Sequence, residues 1–240
     1  MSMILYQGPS LIDGKPIVAI MTGINKASKN SKTGDMPQVW ILRSDMHPTE
    51  ALRTGEDASI CGNCPHRPKV TGENALKKDS RSCYVNTMSF NSVYKKYAND
   101  GYIQADLTEL AIQLNGMNVR IGAYGDPAAV PIEVWDTLLA HCKSTGYTHQ
   151  WQTCNPDYAN YCMASCDNTI DVIKAVAKGY RTFFVQNINS FNDSIKAVDT
   201  IKLAWCPASK EKNKVTTCSN CMVCSGNRSG LHSNVAIMIH

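Results

Sequence analysis

"NVRIGAYGDPAAVPIEVWDTLLAHCKSTGYTHQW", residues 118–151, is the stretch on which the fold turns. Its first part mixes β-branched and small residues and stops at Gly125-Asp126-Pro127, which predicts a strand over 118–126 running into a tight turn. Pro131 then opens a run with helical apolar spacing that reaches Gly146, predicting a helix over 131–146. "YTHQW" (147–151) follows as a second strand. A strand, a helix and another strand in that order pair their strands in parallel across a right-handed connection.

The alternation continues on both sides. Downstream, "YCMAS" (161–165) reads as a strand, 166–179 as a helix capped at Asp167 or Asn168 and ended by Gly179, and 181–187, 201–206 and 233–239 as further strands. Upstream, 15–21 and 38–43 read as strands and "CYV" (83–85) as a short one. Residues 107–116 read as a helix with Asp106 as its cap and Glu109 three residues on. About eight strands with helices between many of them imply an α/β protein, a reduced (β/α) TIM-like barrel, with an open doubly wound sheet as the alternative. The 240 residues suit a single domain, with 206–232 as a metal-binding segment.

Hydrophobic residues make up 43% of the chain, so a proper core can form, yet no apolar run approaches the roughly 18 residues of a membrane span. The first residues show no basic and apolar leader pattern, so a cytoplasmic protein is expected. The formal charge of +4 permits a nucleic-acid partner without demanding one. Lys77, Lys78 and Arg81, Lys95 and Lys96, and Lys210, Lys212 and Lys214 form basic clusters that serve either as solvated surface or as a phosphate footprint.

Eleven cysteines are many for a reducing compartment, where metal binding is a better default than disulfides. "TTCSNCMVCSG" (216–226) carries Cys218, Cys221 and Cys224 at two-residue gaps, and Cys206 lies upstream. Four thiolates on one short segment suit tetrahedral zinc, and a closed four-sulfur site is structural. His232 is an alternative to Cys206, and the Cys206-Pro207 pair keeps an iron–sulfur reading open. "CGNCPHR" (61–67) with Cys83 makes a second group of three thiols. It is either a second metal site, with His66 as one candidate for the fourth ligand, or a turn with buried thiols. Cys142, Cys154, Cys162 and Cys166 read as small core residues.

Function in parallel α/β folds collects at the carboxyl ends of strands. Asp126, Asp45, Asp167, His149, Gln150, Gln186 and Asn187 fall there, and the polar loop 22–37 adds Lys26, Ser28, Lys29, Lys32 and Asp35. Asp126, fixed between Gly125 and Pro127, is placed to be a nucleophile or a base, or simply to cap the next turn. The lysines and hydroxyls of the loop, Lys32 among them, would meet phosphate, and Gln150 has the paired donor and acceptor groups that suit a purine edge.

Taken together, "KTGDMPQVWILR", "SICGNCPHR", "CYVN", "RIGAYGDPAAVP", "GYTHQW", "MASCDN", "RTFFVQN", "CPAS" and "TCSNCMVC" resemble a group of small bacteriophage proteins in the DNA-acting branch of the tRNA-guanine transglycosylase superfamily. The resemblance spans about residues 30–225. It implies a TIM-like barrel with a zinc site near its C-terminal end, and exchange of guanine in DNA for a 7-deazaguanine base such as preQ0, in the cytoplasm of the bacterial host. The C-x2-C-x2-C run departs from the C-x-C-x2-C and distant His of the tRNA enzymes, and no catalytic residue carries over by motif. For the implied reaction Asp126 is therefore chosen by position as the nucleophile, with Asp35, Asp45 or Asp167 as the second carboxylate and His149, Gln150 and Gln186 to read the base. An iron–sulfur redox or radical enzyme and a non-catalytic, zinc-stabilised nucleic-acid-binding protein are the competing classes.

Overall fold

A computed structural model describes residues 2–25, 30–186, 201, 203–209, 212–213 and 215–238. Lys26, Ser28, Lys29, Asn187, Lys210, Lys214 and the side chain of Lys78 lie outside the described residues.

The chain opens with an antiparallel meander. Strands β1 (Met3–Pro9), β2 (Pro16–Thr22) and β3 (Gln38–Arg43) pair in the registers Ile4↔Ile20 and Ile20↔Trp40. The β1–β2 turn uses Gly14 at φ 77°, with the Asp13 carboxylate accepting from the Lys15 N–H at 3.1 Å. Helices α1 (Pro48–Thr54), α2 (Ala58–Cys61) and α3 (Thr87–Tyr97) follow. Strand β4 (Ile103–Gln104) then adds to β1 in parallel.

From here the architecture is parallel. Helix α4 (Leu107–Gln113) leads to β5 (Asn118–Tyr124), which lies beside β3. Helix α5 (Ile132–Leu138) crosses to β6 (Lys143–Thr145), on the far side of β5. The first sheet thus runs β4-β1-β2-β3-β5-β6. After Gly146 the chain resumes as β7 (Tyr147–Thr148), the first strand of an all-parallel second sheet. Strand β8 (Met163–Cys166), helix α6 (Thr169–Ala177), strands β9 (Thr182–Gln186) and β10 (Leu203–Trp205), helix α7 (Cys218–Cys221) and strand β11 (Asn234–Met238) complete it, in the strand order β10-β11-β9-β8-β7.

The α/β class agrees with the sequence pattern. The sheets do not close into a barrel among the described residues: β4 and β10 are outer edges. The helix expected over 131–146 ends at Leu138, because Lys143–Thr145 is drawn out to pair with Asn118–Arg120. Ser144 donates its hydroxyl to the Tyr161 carbonyl at 2.9 Å. Satisfying the open edge of β5 outweighs helical periodicity there. "CYV" forms no strand; the Cys83 N–H instead bonds the His66 carbonyl at 3.0 Å. Asp106 and Asn168 are the N-caps of α4 and α6, accepting backbone N–H groups at 2.9–3.0 Å.

Alternation along the strands divides the core. The largest cluster joins the meander and β5 to the helices, with Ile17, Ile41, Phe90 and Trp135 fully buried. In the second sheet Ala164, Cys166 and Phe184 face Val172 and Ala175 of α6. Met163, Phe183, Val235 and Ile237 face the other way, together with Cys206 and Cys224. Among the described residues, no helix is long and apolar enough to cross a membrane.

Gly146 is where one extended segment passes from sheet to sheet. A Cβ there would stand 2.6 Å from Ile121 Cγ1, 3.0 Å from the Ile121 carbonyl oxygen and 3.3 Å from Cys162 Cβ. Its carbonyl accepts from the Met163 N–H at 3.0 Å. Gly146→Ala should therefore destabilise the chain by about 1–3 kcal/mol, read as a lower urea midpoint at unchanged slope.

Candidate functional site

The carboxyl end of β5 begins the site. Gly125 adopts φ 80°, and a Cβ on it would sit 2.8 Å from the Ile41 carbonyl oxygen, so glycine is required. Asp126 follows, its N–H bonded to the Ile60 carbonyl at 2.6 Å. Its carboxylate accepts the N–H of Ala128 at 2.9 Å and the N–H of His149 at 2.8 Å. The side chain thus caps the turn 127–129 and fastens the end of β5 to the end of β7. Asp126 is only 5% exposed, and burial raises its pKa despite these donors.

The Cys61–Arg67 knuckle is held against the same strand ends. The Gln150 amide donates to the Cys61 carbonyl at 3.2 Å and packs directly on Gly62, which adopts φ 57°. The Arg67 guanidinium binds buried Asp57 at 2.7 and 2.9 Å and the carbonyls of Gly55 and Gly62. This clasp projects His66 toward Asp167, which lies just past β8. His66 Nε2 is 2.8 Å from Asp167 Oδ1, off the line of a hydrogen bond, and His66 Nδ1 is 2.7 Å from Ser82 Oγ. His149 Nε2 is 3.2 Å from Asp167 Oδ2 and 3.9 Å from Cys64 Sγ. Burial alone would lower the His149 pKa, but its hydrogen bonds with Asp167 and Cys64 push it up to about 10. The two histidines hold Asp167 far below the usual carboxylate range, against the raising effect of burial.

These groups border a cavity of about 360 Å³ running along β5–β9 and β11. Cys61, Cys64 and Cys83 line one side of it, and Cys206, Cys218, Cys221 and Cys224 line another. No disulfide joins the cysteines among the described residues. Tyr147 and Phe183, with ring centroids 4.0 Å apart, form an aromatic wall. Lys32, Arg120 and Tyr84 also reach the cavity; Arg120 donates to the Tyr84 hydroxyl at 3.0 Å.

The C-terminal thiols are fixed from two directions. The Cys218 and Ser219 N–H groups bond the carbonyls of Lys32 and Thr33 at 2.8 and 3.0 Å, so part of the polar loop clamps α7. Arg181 has no carboxylate partner among the described residues. It donates instead to the carbonyls of Val223, Ser225 and Ser233 at 2.6–3.0 Å. Burial pushes the Cys224 thiol up to about 12, against a hydrogen bond with Tyr147 that lowers it. The four sulfurs share a wall but are not gathered on one point. Among the described residues, the group of three ligand atoms lying within 4.8 Å of one another is His66, His149 and Asp167.

Of the residues picked from the sequence, Asp126, Lys32, His149 and both cysteine groups therefore meet at one cavity, with Asp167 directly behind the histidines. Asp35, Asp45, Gln150, Gln186 and His232 do not line it. Asp35 and His232 are exposed. Asp45 binds Arg43 through both oxygens at 2.9 and 3.0 Å. Gln150 serves as the knuckle's latch. Gln186 is buried on the face of β9 opposite Phe183 and Val185. Cys162 and Cys166 are core residues as expected, and Cys142 and Cys154 pack against the core. Arg120, Tyr84, Tyr147, Phe183 and Ser82 carried no signal beyond ordinary strand or loop composition.

No family model, curated protein or solved structure matches the chain.

Arg181→Met would leave three carbonyls without their shared donor. It should cost the C-terminal loop about 1.5–3 kcal/mol and make Cys224 alkylate roughly tenfold faster or more, read by mass-mapped thiol labelling.

Proposed function

We propose that the chain is a DNA-guanine transglycosylase, exchanging guanine in DNA for a 7-deazaguanine base of the preQ0 type through a covalent Asp126–deoxyribosyl intermediate. The observation that carries this is the placing of Asp126, at the carboxyl end of a parallel strand, on the same cavity as the Tyr147–Phe183 aromatic wall. At about 360 Å³ the cavity falls at the lower end of the ~300–1,000 Å³ small-ligand range, so it takes a base and its sugar but not a duplex. The target nucleotide must leave its stack, and aromatic faces suit a flipped base. Lys32 and Arg120 supply positive charge for the backbone.

In the first step an Asp126 oxygen bonds C1′, and the C1′–N9 electron pair leaves with guanine. A proton reaches the purine from the His66–His149–Asp167 corner. In the second step the incoming base returns a proton there, and its nitrogen displaces Asp126 from C1′. The backbone N–H groups of Ala128 and His149, with the Thr148 hydroxyl, hold the carboxylate still. Of the three candidates for the second acidic group, Asp167 alone adjoins the cavity residues. The fold would be a reduced barrel left open at β4 and β10. Cys206, Cys218, Cys221 and Cys224 would hold a structural zinc once drawn in to Zn–S bonds of about 2.3 Å.

Incubating the protein with duplex DNA and labelled guanine should place label in the DNA, and Asp126→Asn should lower the rate by roughly 10³-fold or more. Melting curves of the variant separate this from misfolding, and denaturing gels of the wild type should show a protein–DNA adduct. Unlabelled DNA with the wild type, or an undiminished rate in the variant, defeats the proposal; a mere binder yields no label either.

A second reading has its own observation: seven thiols, in groups of three and four, face one cavity. Such sets ligate iron–sulfur clusters. A brown anaerobic preparation holding iron and sulfide would favour redox or radical chemistry, and a colourless one holding zinc would exclude it.

A further inference from the structure

We propose that His66, His149 and Asp167 bind a single divalent transition-metal ion, zinc by its donor set, at the edge of the cavity, with the fourth coordination position open. This site is separate from the C-terminal thiols.

Three segments distant in sequence bring one donor each: the Cys61–Arg67 knuckle, the end of β7 and the end of β8. Bonds of about 2.0–2.2 Å in a tetrahedral site put neighbouring ligand atoms roughly 3.2–3.6 Å apart. The two nitrogens lie 2.8 and 3.2 Å from different oxygens of Asp167, and one donor atom of each residue lies within 4.8 Å of the other two, close enough for modest side-chain shifts to admit an ion. His66 supplies an independent sign. Its Nε2 is buried and without a hydrogen-bond partner, although a carboxylate oxygen lies beside it. A ring nitrogen left beside a carboxylate oxygen in this way fits a cation held between the two.

The surrounding partners fit as well. Ser82 Oγ lies 2.7 Å from His66 Nδ1; in the tautomer protonated at Nδ1 it accepts the ring N–H and leaves Nε2 as the donor to metal, the usual outer-sphere arrangement of ligating histidines. The His149 backbone is pinned by Asp126. Two imidazoles and one carboxylate suit zinc or iron rather than magnesium or calcium. The three side chains remain 17%, 17% and 26% exposed, so an ion and a water can enter. Cys64 stands 3.9 Å from His149 Nε2 but outside the mutual cluster. A catalytic role for the ion rests on the base-exchange reading: held by His66, His149 and Asp167, it would acidify a bound water that could serve as the acid for the departing purine and the base for the incoming one.

The full chain, stripped of metal under reductant and reloaded, is measured for zinc without any DNA. His66→Ala and Asp167→Asn should each lose one zinc equivalent relative to wild type, and Ser82→Ala should bind zinc about 10- to 100-fold more weakly. With cobalt in place of zinc, azide should shift the visible spectrum of the wild type but not of His66→Ala. In the wild type alone, zinc should shield His66 and His149 from diethyl pyrocarbonate, so the test survives if a variant fails to fold. Equal zinc in wild type and folded variants, or unchanged histidine labelling with and without zinc, overturns the site. Failure of base exchange alone would leave these measurements untouched and would count only against the transglycosylase reading.

Discussion

The carboxylate of Asp126 is the tie on which the cavity mouth depends. It accepts one N–H from its own turn and one from His149, while its backbone N–H reaches Ile60. Three segments thereby meet at one buried group: the end of β5, the end of β7 and the helix before the Cys61 knuckle. Removing a carboxylate from water is costly unless donors replace the lost hydration, and here both oxygens receive them. The Gln150–Cys61 contact and the Arg67–Asp57 pair extend the same fastening outward until His66 meets Asp167.

The two sides of the cavity are built differently. Around the histidines, two imidazoles and a carboxylate face one another at short range. Around Cys206 and α7, backbone carbonyls do most of the holding, with Arg181 satisfied by peptide dipoles rather than by an acid. Between them the aromatic wall and the strand side chains keep the interior largely apolar. That division suits a planar ligand gripped at its edges by polar groups and on its faces by rings.

Much of this was legible in the sequence. Strand β3 occupies the expected residues 38–43, α4 starts after Asp106, and Asp126, His149 and Asp167 were found at strand ends because a parallel sheet gathers chemistry there. The failures have physical causes. The periodicity of 131–146 continued past Leu138, but an unpaired strand edge claimed Lys143–Thr145. Gln150 looked like a base reader because its amide can face two ways, and only tertiary packing shows it spent on Gly62 and Cys61. The meeting of His66 with Asp167 depends on how a loop folds back across the sheet, which no local pattern encodes.

One feature of the second sheet bears on how the protein could change over generations. Met163, Phe183, Val235 and Ile237 form an apolar cluster with Cys206 and Cys224, and Phe183, Ile237, Cys206 and Cys224 are at the same time walls of the cavity. The chamber and the fold's interior share side chains, so carving extra room for a bulkier guest would hollow out the scaffold itself. Divergence toward new guests is therefore channelled to the rim, where Tyr84 stands 71% exposed and its exchange gives up the hydrogen bond from Arg120 and leaves the apolar interior intact.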